Sequence, residues 1–66
     1  MAVRRVELWS GRRRLAEYVD ESEAAIRYAW RMRRLYPGLR VSNEPVPDNE
    51  VPDELPVENW WGAPPE

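Results

Sequence analysis

The chain contains no cysteine, histidine, lysine, threonine, glutamine or phenylalanine. Without cysteine it has neither disulfides nor thiolate metal ligands, and its redox compartment is left open. Without histidine or lysine it lacks the usual general base, nucleophile activator and Schiff-base former. The hydroxyls other than tyrosine are Ser10, Ser22 and Ser42, and none has a histidine to activate it. The three glycines are scattered at 11, 38 and 62, so no glycine-rich loop can cradle a phosphate. The acidic run Asp48 to Glu54 lacks the central glycine and the alternation of an EF-hand loop. These absences argue against an enzyme and against any metal, cofactor or small-molecule substrate. No apolar run approaches the ~20 residues that span a bilayer, and no charged start leads into an apolar signal core. The expectation is a soluble, cytoplasmic protein with no membrane partner.

What the chain does have is divided by sign. Its ten basic residues are all arginine and all lie at or before Arg40. Through Val41, ten arginines against five acids leave +5; from Ser42 onward seven acids stand against no base, giving -7. Such a split predicts a basic body over 1–42 and an acidic tail over 43–66. Arginine as the sole base is the habit of GC-rich coding and points to a high-GC bacterium or its phage; in the latter case the protein would be virion-associated.

Val3 to Trp9 reads as a first strand, with Val6 and Leu8 alternating with Arg5, Glu7 and Trp9. Ser10-Gly11 marks a turn, and Arg13 to Val19 reads as a second strand. A two-residue loop pairs even positions of the first strand with odd positions of the second, which places Val6, Leu8, Leu15 and Val19 on one face. The other face would then show Val3, Trp9, Ala16 and Tyr18 among Arg5, Arg12 and Arg14.

The spacing predicts a helix over 20–38, capped by Asp20 with Glu23 three residues on and ended by Pro37 and a left-handed Gly38. Ala25, Ala29, Met32 and Tyr36, with Tyr28 and Leu35 beside them, form its inward stripe. Leu39 to Val41 reads as a short third strand beside the first. A helix of ~16 residues matches the length of a seven-residue strand, which favours an α+β fold: a small two-layer ββαβ unit made of a hairpin, one amphipathic helix and a short third strand.

Six of the seven prolines fall after Ser42, interleaved with acids, a composition that favours an extended C-terminal tail. Yet this tail also carries Val46, Val51, Leu55, Val57 and the pair Trp60-Trp61, and tryptophans mark docking segments. A body of about 40 residues is at the size where chains need staples or partners to stay folded.

Partner-binding candidates follow from these leftovers. Trp9, Tyr18, Arg12 and Arg14 lie on the uncovered sheet face, and Arg27, Arg31 and Arg34 form a stripe on the helix beside Trp30. Trp60 and Trp61 are the anchors of the tail. The plain alternative for the helix stripe is a solvated face. The leading expectation is a non-enzymatic protein-interaction module, an accessory, regulatory or assembly subunit, that binds a protein partner or its own copy as a homo-oligomer. One alternative is a nucleic-acid-binding regulator whose acidic tail competes with phosphate for the arginines. Another is a structural component of a virion or large complex.

Overall fold

A computed structural model describes residues 2–62. The fold is α+β, with four antiparallel strands and one helix: β1 Val3–Ser10, β2 Arg13–Glu21, α1 Ser22–Leu35, β3 Arg40–Pro45 and β4 Val57–Trp60. The sheet order is β3-β1-β2-β4, and α1 packs across β1, β2 and β3. The third strand does lie beside the first, but it begins at Arg40 and runs on to Pro45, longer than the expected Leu39 to Val41. The tail expectation covers 43–66: residues 43–45 complete β3, Asp48–Glu50 form a 3₁₀ turn and 57–60 form β4, while 63–66 lie outside the described residues.

A single inserted residue rearranges the faces of the hairpin. Gly11, at φ +59°, occupies the first central position of the two-residue turn, where a positive φ is required for a type II′ geometry. Next to the turn the pairs are Ser10 with Arg13 and Trp9 with Arg14, as the loop length dictates. The register then shifts, and Leu8 pairs with Ala16, Val6 with Tyr18 and Arg5 with Val19. Leu15 is the extra residue of a β-bulge, which reverses the inward-outward parity of everything beyond it. The expected common face is therefore corrected: Ala16 and Tyr18 join Val6 and Leu8 beneath the helix, whereas Val19 turns to the opposite face with Val3.

Two apolar clusters result, one on each side of the sheet. The larger, under α1, gathers Val6, Leu8, Leu15, Ala16, Ala25, Tyr28, Ala29, Met32 and Leu39. The small alanines at 16, 25 and 29, each at most 1% exposed, allow helix and sheet to approach closely. The smaller cluster joins Val3, Val19 and Val46, with Val51, Leu55 and Val57 packed against it. The chain leaves β3 at one edge and crosses the helix-free face as a strap. It is pinned by the Val46 N–H to the Val3 carbonyl at 2.9 Å, and it reaches the far edge as β4. Each valine so covered contributes on the order of 1.5 kcal/mol as an upper bound.

The helix ends also differ from expectation. Asp20 stays in β2 because both its carboxylate oxygens are engaged, Oδ2 by the Tyr18 O–H and Oδ1 by the Glu21 N–H, each at 2.8 Å. It therefore does not cap α1, and Glu21 at the N-cap position makes no side-chain cap either. The first amide of the helix instead donates to the Ala2 carbonyl, Ser22 N–H to O at 3.0 Å, so the residue that leads into β1 supplies what a capping side chain would have given. At the other end Gly38 does not adopt a positive φ; a turn from the Leu39 N–H to the Tyr36 carbonyl closes the chain toward β3. Leu35, expected in the inward stripe, is 57% exposed because the helix ends there, beyond the cover of the sheet.

Candidate interaction surface

The expected binding residues fall into three groups. On the helix-free face, Arg14 Nη1 lies 2.8 Å from Glu7 Oε2 and 4.0 Å from Glu17 Oε2, and Arg5 Nε lies 3.0 Å from Glu17 Oε2. Glu7 and Glu17 are directly paired across the strands, and two like charges so placed are tolerated because arginines flank them. The Glu7 hydrogen bond holds the Arg14 guanidinium above its ordinary pKa. Two cation-π contacts border this network: Arg14 over Trp61 at 4.4 Å and Arg40 over half-buried Trp9 at 5.3 Å. Here the arginines are largely answered within the chain. Arg12, at the hairpin turn, stays exposed.

The second group lies between α1 and β4. Tyr18 does not offer an open ring as expected: the bulge turns it toward the helix, where it stacks on Tyr28 with centroids 4.1 Å apart and planes within 7°. Burial, followed by the hydrogen bond to Asp20, pushes the Tyr18 hydroxyl pKa up. Burial also raises that of Tyr28, with the Glu58 carboxylate adding to it. Glu58 Oε2 accepts the Tyr28 O–H at 3.3 Å and the Trp60 Nε1–H at 3.1 Å. Glu58 thus links β4 to the helix, and the Trp61 N–H donates to the carbonyl of the bulged Leu15 at 2.7 Å. A Cβ on Gly62 would come within 2.9 Å of Leu15 Cδ2, so the chain after β4 closes over the bulge, and a larger residue there would require the Leu15 side chain to shift. Both tail tryptophans are spent in part on their own chain.

The third group is the outward face of α1. Trp30 is 63% exposed and Ile26, one turn earlier on the same side, is 42% exposed, while Leu35 is exposed on the other flank of this face. Arg27, Arg31 and Arg34 form a row between Trp30 and Leu35, all exposed, and among the described residues none of the three enters a salt bridge. A shallow groove of about 510 Å³ is lined by Arg27, Trp30, Arg31, Arg34 and Leu35; Arg27 and Arg31 also border a smaller hollow over the Tyr18–Tyr28 stack. The sequence reading placed Trp30 and the arginines here but missed Leu35. It also missed the Tyr28–Glu58–Trp60 cluster, whose only signal was an acid two residues before a tryptophan.

Among the described residues no helix is long and apolar enough to cross a membrane, and no group of His, Cys, Asp or Glu is placed to hold a metal ion. Compared with protein-family models, with curated proteins and with solved structures, the chain matches none of them.

Proposed function

We propose that this protein is a non-enzymatic interaction module that docks on the acidic surface of another protein through the outward face of α1. The observation that carries this reading is the contrast in how the chain treats its arginines. Arg5 and Arg14 are answered by Glu7 and Glu17, while Arg27, Arg31 and Arg34, in a row between exposed Trp30 and exposed Leu35, enter no salt bridge among the described residues. A row of cations flanked by an exposed tryptophan and an exposed leucine has the composition of an interface hot spot, in which the aromatic anchors and the charges fix orientation. The single apolar residues scattered over a solvated face do not wall a groove as Trp30 and Leu35 do here. A phosphate-binding helix has use for the arginines but none for Ile26 and Leu35.

A fluorescently labelled acidic amphipathic peptide, with leucine and glutamate at helical spacing, provides the test by anisotropy. The expected result is binding that weakens about tenfold or more in Trp30→Ala, the loss typical of an anchor residue. An oligoglutamate of equal charge should bind weakly and lose nothing with that substitution. Equal peptide affinity for both proteins would overturn the reading, and tighter binding of a single-stranded oligonucleotide at matched salt would favour the nucleic-acid alternative instead.

A further inference from the structure

The division of charge along the sequence becomes a division between the two ends of the molecule. β1 ends and β2 begins at the hairpin turn, and α1 ends and β3 begins at that same end, since Arg40 pairs with Trp9. Exposed Arg12, Arg13, Arg33, Arg34 and Arg40 are thereby gathered there. At the other end β1 begins, β2 passes into α1 and β3 gives way to the strap, which brings together exposed Glu21, Glu23, Glu44, Asp48 and Glu50. Of the bases at this end, Arg4 is turned to Asn43, with Nε 2.6 Å from Oδ1, and Arg5, across from Glu44, has its Nε 3.0 Å from Glu17 Oε2.

The molecule measures 35 × 19 × 16 Å, and a nine-residue strand such as β2 spans about 30 Å, so the long axis follows the strands and the charged ends are its poles. At physiological salt the screening length is about 8 Å, far less than that separation, and the poles cannot neutralise one another within one molecule. The surface of opposite sign open to either pole is the other pole of a second copy.

We infer that copies of this chain associate head to tail, the arginine pole of one seated on the carboxylate pole of the next. This contact adjoins the outward face of α1 used above at Arg34, but it is tested through Arg12, Arg13 and Arg40 and does not require Trp30. It is heterologous, so each copy keeps one free pole of each sign and the assembly grows into rings or short filaments rather than stopping at a symmetric dimer. Trp9 and Trp61, each beneath an arginine near the basic pole, add apolar area to a contact otherwise made of charge.

Sedimentation velocity on the full chain tests the inference. In about 50 mM salt the weight-average mass should rise at least about twofold with protein concentration, and it should return to the monomer in about 500 mM salt. A triple variant Arg12→Glu, Arg13→Glu, Arg40→Glu should stay monomeric alone, as should Glu21→Arg, Asp48→Arg, Glu50→Arg, and an equimolar mixture of the two should regain association. All six positions are exposed, and a thermal melt checks that each variant folds. A wild-type chain that remains monomeric at low salt overturns the inference whatever the variants do, and so does association that charge reversal leaves unchanged. Neither result bears on the peptide binding assigned to Trp30.

Discussion

The two sides of the sheet are sealed by different means. Beneath α1, a regular helix closes over Val6, Leu8 and Ala16, all at 0% exposure, and its stripe of small and large residues fits the strands in the usual manner of two packed layers. On the reverse side a proline-rich strap lays Val46, Val51 and Leu55 over Val3 and Val19, and the remainder of that face is filled by paired charges. The first side draws its stability from burial within one continuous cluster. The second ties irregular backbone to the sheet at a few points, and it serves mainly to hide what a 40-residue body would leave bare. Acids that look like solvating ballast in the sequence are thereby spaced along a segment whose apolar residues point at the sheet.

The largest test of this contrast removes the strap. A chain ending at Pro45 loses β4, uncovers Val3 and Val19 and frees the Leu15 carbonyl; it should show no cooperative thermal transition by circular dichroism. A truncated chain that melts within a few degrees of the full one would show the strap to be ornament. Next in size, Leu8→Ala should cost about 3 kcal/mol in urea unfolding, within the range for a fully buried leucine, whereas Leu55→Ala in the half-buried strap should cost about 1 kcal/mol. Equal losses would erase the distinction between the two sides.

The smallest effect concerns pH. Tyr28 and Tyr18 both have folded pKa values raised from the ordinary 10.0, so the folded state holds these protons more tightly than the unfolded chain. Their contribution is therefore complete below about pH 10 and declines as pH climbs toward the raised values. Urea melts between about pH 8 and pH 11 should show stability falling only above pH 10, by less than about 1 kcal/mol per unit given partial solvent screening. Tyr28→Phe should flatten most of that slope. An unchanged slope would mean that the Tyr28 hydroxyl is not held in its buried position beside Glu58.

Much of this was legible from local signals. The hairpin, the helix and the third strand each announce themselves by periodicity and turn residues, and Trp30 with Arg27, Arg31 and Arg34 can be placed on an outward face by counting 3.6 residues per turn. The faces of β2 were not legible, because the alternation rule carries no mark for an extra residue: Leu15 and Ala16 are both apolar, and either register satisfies the pattern until the helix and the Trp61 amide select one. Asp20 looked like a cap because Glu23 follows it at the right spacing, yet the hydroxyl of Tyr18 competes for the same carboxylate and wins through proximity along the strand.

By itself, then, the sequence determines composition-level facts and short-range order: a composition free of cysteine and histidine, a basic first part and an acidic second, two strands, a helix and a further strand. Only the tertiary structure decides that the acidic segment crosses the sheet and returns as its fourth strand, that the opposed charges become opposite poles, and that Arg5 and Arg14 of the sheet are paired while, among the described residues, Arg27, Arg31 and Arg34 of the helix enter no salt bridge. The reason is that periodicity records only neighbours within a turn or two of the chain. A bulge and a strap are settled by contacts between residues up to about forty positions apart, such as Val46 on Val3, and their energies are compared only when the whole chain has closed.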